Sequence, residues 1–574
     1  GRRLVAALLA LATALAACGC AVGDPTDPDP AGGDPDRSAG YVVVTGADYT
    51  LPAWVAAETF GGYVGHPDGA AAGIGSSYRN WWTTWAELEP ERGRYDWDLI
   101  ERRLAAAEDR GDRLCLQIQS MVCGGGDPER GFVVPNAVPD WVFTELGLTD
   151  DDRIGLGGEW DIEVIPAWRP EIRDAFNALI LAIGERGYPA REALGAAYIH
   201  AISPSLGEEF WLEPWQTHVL ESRAGFSAAV MQEWLESRMD AYATAFGADV
   251  RKVAWVGSIS IWGYSGQDYK AAAWALVEHA WSLGAGNRSS IVEKYHIGLD
   301  DPALGQSLDQ DGYLYTDETI PPLAEARYFG DENEEYGDQW TWRYGDTAGD
   351  WQRYRFAMLR AMQMQVRFLW THEPGEAIDP ALSHYARFAF GKTVQTTPDA
   401  WCYLKESAVA RILTPAGVVR NFERWLRQRD VPGGLTVATD RVDRAFNAGS
   451  ILDSEEGAFY DYTARRTDLA GGQDAMYFDV DDRFVTDGPV EIKVEVCDHT
   501  AASWRLEYVD RDGEVASTAA YTGQGDDAVR TVTFRIADLA LAGGLPHGMD
   551  VRLVCDGPGD ATVRWVRLVR LERP

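Results

Sequence analysis

The chain is short of positive charge. Its 574 residues carry 52 Lys and Arg against 89 Asp and Glu, a formal net charge of −37. Nucleic-acid binding needs cations to neutralise phosphates, so this balance argues against that class of partner. Cysteine and histidine are also scarce, at seven and nine. No Cys-x-x-Cys or His-x-x-x-His array occurs, so the sequence supports no compact structural zinc motif. No Gly-x-Gly-x-x-Gly follows the first strand-like run, which argues against a dinucleotide-binding, doubly wound sheet. The apolar run Leu4–Ala14 is too short to span a bilayer as a stable helix.

What is present is material for a large core. The hydrophobic fraction is 46%, and the length suits a large domain with a smaller companion. Tryptophan is abundant, at 23 residues. Its flat ring is a natural partner for sugar rings, although most Trp are expected in the core. The acidic excess reads as a solvated surface.

The N-terminal residues read as a targeting segment. Arg2 and Arg3 precede the apolar run, and Leu15-Ala16-Ala17-Cys18 follows it. That tetrad resembles a bacterial lipobox. The resemblance implies a signal peptide over residues 1–17, cleavage before Cys18, diacylation of its thiol and an exported, membrane-anchored protein. Residues 18–40 are rich in Asp, Pro and Gly, have almost nothing to bury and read as an extended tether.

From Tyr41 to about Ala438, strand-like and helix-like runs alternate. Tyr41–Val44 is expected as the first strand and Leu114–Ile118 as the third. Ala196–Ile202, Val253–Ile259, Ile291–Ile297, Ala326–Gly330 and Val366–Trp370 continue the series. Between them lie helices with legible ends. Asp96 is placed as an N-cap and Gly111 as a stop. Ile172, Phe176, Leu179, Ile180 and Ile183 share one face of a helix ending before Gly187. Phe226–Phe246 is another helix, with Val230, Trp234 and Tyr242 inward. Asp379, Pro380 and Gly391 frame the last one. Repeated β-then-α order over this length predicts an α/β fold, a (β/α)8 TIM barrel over residues 41–438.

Residues 439–574 differ. Ala475–Val480, Val490–Val496, Trp504–Tyr508, Val532–Ile536 and Val551–Val554 alternate with period two, which predicts a β-sandwich accessory domain. It resembles the jelly-roll modules appended to many glycosidases. An exported location permits disulfides, and Cys497–Cys555 is the expected bridge. Asp479, Asp481 and Asp482 form a candidate structural calcium site or an acidic hairpin. No other cofactor is expected.

One segment carries a family resemblance. Arg79-Asn80-Trp81-Trp82-Thr83-Thr84-Trp85-Ala86-Glu87-Leu88-Glu89-Pro90, followed by Gly93-Arg94-Tyr95-Asp96-Trp97, is similar to the second strand and turn of clan A glycoside hydrolases, especially family 42-like and related barrel families. The resemblance implies an acid/base Glu after strand four and a nucleophilic Glu after strand seven. Strand four opens into Gly207-Glu208-Glu209-Phe210-Trp211, so Glu208 takes the first role with Glu209 in reserve. The clan's usual signature at this point is Asn-Glu, and here it is Gly-Glu. Strand seven runs into Gly330-Asp331-Glu332-Asn333-Glu334-Glu335, so Glu332 takes the second, with Glu334 in reserve. Adjacent carboxylates repel, which raises one pKa and suits acid/base work.

The implied reaction is retaining hydrolysis of an O-glycosidic bond in an oligo- or polysaccharide. Arg79 would orient the nucleophile, Trp370 would floor the site, and Trp211, Trp262 and Tyr295 would line subsites. The long segments Val122–Gly158 and Asp300–Leu323 would set specificity. His200 and His296, in or beside strands, are read as core residues. Two other classes stay open: a surface glycan-binding lipoprotein that has lost catalysis, and a barrel enzyme of another chemistry such as a metal-dependent hydrolase or a lyase.

Overall fold

The computed structural model describes residues 40–55, 62–65, 78–127, 132–157, 162–199, 214–256, 267–289, 306–316, 330–333, 347–366, 368–371, 379–408, 417–444 and 459–574. Eight strands close into a barrel: Gly62–Gly65, Tyr78–Thr84, Arg113–Gln119, Leu194–Ile199, Val253–Val256, Gly286–Ser289, Gly330–Asn333 and Phe368–Thr371. Every neighbouring pair is parallel. Starting at Trp82, the registered partners run through Gln117, Tyr198, Ala254 and Gly286. Continuing with the offsets of the last four pairings returns to the second strand at position 74, eight residues upstream. Eight strands with a shear of eight tilt by about 36° to the barrel axis.

Burial separates the two faces of this sheet. Leu114, Leu116, Ile118, Ala197, Ile199, Val253 and Trp255 join the apolar core shared with the surrounding helices. Cys115, Gln117, Tyr198 and Ala254 alternate with them and are buried but stand outside that core, on the inner wall.

The helices form where the sequence places their signals. Asp96 Oδ1 accepts from the Leu99 amide, and Gly111 closes the helix Trp97–Arg110 in a left-handed conformation, φ 71°. Ile172, Phe176, Leu179, Ile180 and Ile183 are all buried on the helix Pro170–Glu185. Trp234 and Tyr242 are buried on Ala228–Phe246, while Val230 is only partly so. Asp379 caps Pro380–Ala389 through the Leu382 amide. Among the described residues no helix is long and apolar enough to cross a membrane.

The first strand of the barrel is not Tyr41–Val44. Val42–Thr45 pairs antiparallel with Val529–Ile536, at the edge of a sheet in the C-terminal half. A short strand of three valines and a threonine can satisfy its backbone at any free sheet edge, and here the following residues hold it there. The Thr531 hydroxyl donates to Gly46 O, and the Lys493 ammonium donates to Asp48 Oδ2 at 2.5 Å. Gly62–Gly65 takes the vacated place in the barrel.

The C-terminal half is two antiparallel sheets around one core. One sheet orders Val42–Thr45, Val529–Ile536, Val490–Cys497, Thr562–Arg570, Asp399–Ala408, Phe459–Arg466 and Val437–Arg444, with Val418–Arg424 beside Asp399–Ala408. The other is built on Leu426–Arg429, Ala475–Val480, Val551–Gly557 and Ser503–Val509. The sandwich therefore extends from Asp399 and includes residues before the barrel, so the expected boundary at 438 cuts through it.

The expected disulfide is absent. Cys497 and Cys555 lie on strands of different sheets, and both are buried free thiols. The Cys555 thiol donates to Gly559 O at 3.2 Å, and burial pushes the Cys497 thiol up to about 12. The carboxylate of Asp481 is already engaged by Arg427 and Arg483, at 3.1 and 2.7 Å.

Barrel and sandwich share an apolar interface. Phe356 and Leu359 from the helix Thr347–Gln363, with Tyr385 from Pro380–Ala389, pack against Trp401, Tyr403, Phe422 and Trp565 of the larger sheet. A hairpin from the connection between strands six and seven, Gln306–Leu308 with Leu314–Thr316, also docks on the sandwich. Arg420 N donates to Gly312 O at 2.7 Å, Leu314 packs on Val419, and the Arg429 guanidinium stacks over the Tyr313 ring.

Candidate active site

Chemistry in a parallel barrel sits at the C-terminal ends of its strands. Strand seven is Gly330–Asn333, a run of poor intrinsic strand formers held by ladders on both sides. The sequence reading placed it at Ala326–Gly330 and put Glu332 beyond it. Glu332 instead lies within the strand, one residue from its end, and its Cα partner is Trp370 of strand eight. The offsets that close the barrel assign positions 332 and 370 to the same face as Gln117, Tyr198 and Ala254.

The shear fixes the height of these positions as well. With eight strands and a shear of eight, the level along the axis advances one residue per strand. Position 333 then comes level with Trp82, and Glu332 one residue below.

Arg79 falls on the other set. Its registered partner is Leu114, whose side chain belongs to the core between barrel and helices. Register therefore places position 79 on the set of positions opposite to position 332.

Strand four ends at Ile199. Glu208, Glu209, Trp211, Trp262, Tyr295 and Glu334 lie outside the described residues, as do Cys18, His200, His296 and the whole of the expected sixth strand, Ile291–Ile297. The sixth strand of the barrel is Gly286–Ser289.

Inner-wall and rim residues that the sequence reading missed are well defined. Trp82 Nε1 donates to Gln117 Oε1 at 2.6 Å, and Gln117 is buried. This pair lines the wall at the level of positions 332 and 333. Strand parity alone would have found it, because Trp82 is in register with Gln117 and not with the leucines. Above it, Thr84 and Glu87 form a capping box that turns the chain at the end of strand two.

The Leu-Glu-Pro turn then anchors the rim. Trp85 is fully buried, edge-on to Trp141 and Phe176. Its ring contributes roughly 4–6 kcal/mol by apolar area alone. Trp85 Nε1 and the Gly93 amide both donate to the Glu89 carboxylate, each at 2.7 Å. Burial raises the Glu89 pKa above the ordinary range despite those two donors. Glu89 is thus a structural carboxylate that holds the turn.

Trp215 opens the helix that follows the strand-four connection and is 45% exposed. It sits over Gly157, where an added Cβ would come within 3.5 Å of its ring.

No protein family and no curated protein matches the sequence. Among solved structures the chain is similar to the catalytic domain of a beta-amylase from Paenibacillus polymyxa, with a TM-score of 0.36 and 11% identity over 57% of this chain and 97% of that one. It is similar to endo-glycoceramidase II from Rhodococcus sp., captured as a lactosyl-enzyme intermediate, with a TM-score of 0.28 and 12% identity over 81% and 90% of the two chains. It is also similar to a beta-galactosidase from Rahnella sp. R3, with a TM-score of 0.30 and 12% identity over 59% and 57%. Likeness at this level leaves the chemistry to be argued from the residues.

Proposed function

We propose that this chain is a glycoside hydrolase of the (β/α)8 class, acting on an oligo- or polysaccharide. The observation that carries the reading is the register of strands seven and eight. In its support, position 332 of strand seven is registered with position 370 of strand eight on the inner set, one and two residues below the level of Trp82. A carboxylate next to a large aromatic at a barrel mouth suits a nucleophile over a sugar platform. Glu208, in the connection that leaves strand four, is the acid/base partner, with Glu209 and Glu334 in reserve. In a retaining reaction Glu332 attacks the anomeric carbon while Glu208 protonates the leaving oxygen and then activates water, with the carboxyls about 5–5.5 Å apart. Trp211, Trp262 and Tyr295 extend the subsites. The signal and lipobox resemblance of residues 1–18 supports export and anchoring through Cys18, with the tether holding the folded part off the membrane.

The test is hydrolysis of a panel of aryl glycosides and polysaccharides by the chain from Gly40 onward, beside Glu208→Gln and Glu332→Gln. Cleavage by the parent, with losses of several orders of magnitude in both variants, supports the reading. Activity that survives both substitutions would sink the assignment. Binding of a glycan without cleavage would make the chain a glycan-binding lipoprotein.

A further inference from the structure

Three metal-binding side chains from distant parts of the sequence meet on the sandwich. Asp440, Cys497 and His499 place one carboxylate oxygen, the Sγ and one ring nitrogen all within 4.8 Å of one another. Cys497 ends its strand, and His499 follows two residues on in the turn. Asp440 comes from the edge strand Val437–Arg444, where its backbone takes the left-handed conformation, φ 59°, rare for a residue other than glycine.

The second nitrogen of the imidazole is also held. His499 Nδ1 contacts Asp527 Oδ1 at 2.8 Å, and His499 Nε2 contacts Asp440 Oδ1 at 2.8 Å. A carboxylate on the far nitrogen is the usual way a metal-bound histidine is oriented. Asp527 too is left-handed, φ 61°. The neighbouring charges do not fill the site. Arg564 lies 3.7 Å from Asp440 Oδ2, on the oxygen away from His499, and is balanced by Glu495 at 3.8 Å. Asp498 is turned to Arg530 at 2.7 Å.

We infer that Asp440, Cys497 and His499 bind one zinc-class divalent cation, with water or an incoming ligand as fourth donor. The mixed donor set selects the metal. A thiolate and an imidazole favour zinc-class ions over calcium or magnesium, which take oxygen ligands. Tetrahedral zinc separates its ligand atoms by roughly 3.3–3.8 Å, given bonds near 2.0–2.3 Å. His499 Nε2 and Asp440 Oδ1, now 2.8 Å apart, would separate by about half an ångström to reach that range, with the thiol closing on them from within 4.8 Å. His499, 37% exposed at its side chain, leaves a path from solvent. The cation would pin the edge strand Val437–Arg444 to the end of Val490–Cys497.

The test uses the reduced full chain stripped with a chelator. Zinc titration by calorimetry should show one tight equivalent, absent from Cys497→Ser and His499→Ala. Cobalt(II) should give a thiolate charge-transfer band that Cys497→Ser abolishes. Asp527→Asn keeps all three ligands and should weaken binding 10–100-fold. The inference is overturned if the parent takes up no equivalent, or if the equivalent and its cobalt band persist in Cys497→Ser and His499→Ala. Should those two variants fail to fold, the parent's cobalt spectrum and Asp527→Asn decide. No thiolate band, or undiminished affinity, overturns it.

Discussion

Replacing Glu495 by Gln should destabilise the joint between barrel and sandwich more than any single loss of apolar area there. Arg355, on the barrel helix Thr347–Gln363, donates Nη2 to Glu495 Oε2 at 2.7 Å, and the two side chains are 1% and 3% exposed. Arg355 also lies over the rings of Tyr403 and Trp565, at 5.1 and 5.5 Å. Coulomb attraction at this separation is about 6 kcal/mol at the effective dielectric suited to proteins. Part of that offsets the cost of having desolvated both ions. Removing the carboxylate charge leaves the desolvation of Arg355 uncompensated, so the expected loss is about 3–5 kcal/mol. Arg564, 3.8 Å from the other Glu495 oxygen, loses one of its two carboxylate neighbours and keeps Asp440 at 3.7 Å. Arg355→Met should cost less, because Glu495 keeps Arg564. The double variant should recover much of the loss, since a neutral pair of similar shape does not need solvation. Urea unfolding followed by Trp fluorescence, on the parent, both single variants and the double, gives the coupling energy. The parent should unfold with barrel and sandwich joined, and Glu495→Gln should separate the two transitions. Costs below about 1 kcal/mol, or single effects that simply add, would refute the reasoning.

Other expectations follow from the same reading of contacts. Glu507 accepts from Arg505 and Arg552, and although burial opposes it, these partners hold its pKa below the ordinary 4.5. A depressed carboxylate stabilises above its unfolded value and loses that contribution as pH falls through the folded one. The sandwich should thus weaken on acidification below about pH 4.5, and melting curves of Glu507→Gln should show a shallower dependence there. Gly184→Ala would put a Cβ 2.5 Å from Ala245 Cα, where the helices Pro170–Glu185 and Ala228–Phe246 cross. Backbone on the far side cannot yield cheaply, so a loss of about 1–3 kcal/mol is expected in thermal unfolding. Cys115, Cys123, Cys402, Cys497 and Cys555 should all alkylate after denaturation without reductant, and a 497–555 cross-linked peptide in the mass spectrum would contradict the fold.

Local signals in this sequence told the truth about local structure. Asp96, Gly111, Asp379 and Pro380 mark helix ends because a cap is made within a few residues of itself. The apolar face of Pro170–Glu185 was readable for the same reason. Pairing partners were not readable. Val42–Thr45 carries the same valine pattern whether it enters a barrel or an edge, and what decides is Thr531, whose hydroxyl bonds Gly46 485 residues away. The short strand Gly330–Asn333 has no strand composition at all and exists because Gly286–Ser289 and Phe368–Thr371 flank it. The two cysteines show the same limit from the other side. Membership of one small exported domain paired Cys497 with Cys555, while the fold brings Cys497 beside Asp440 and His499, residues that stand 59 apart in the chain. A site assembled from separate strands is invisible to any motif of fixed spacing. It becomes legible only when register and the left-handed backbone of Asp440 bring its parts together. The inner wall of the barrel yields to the same treatment. The parity of Trp82, Gln117 and Tyr198 follows from two registered pairs, which no motif of fixed spacing could have supplied.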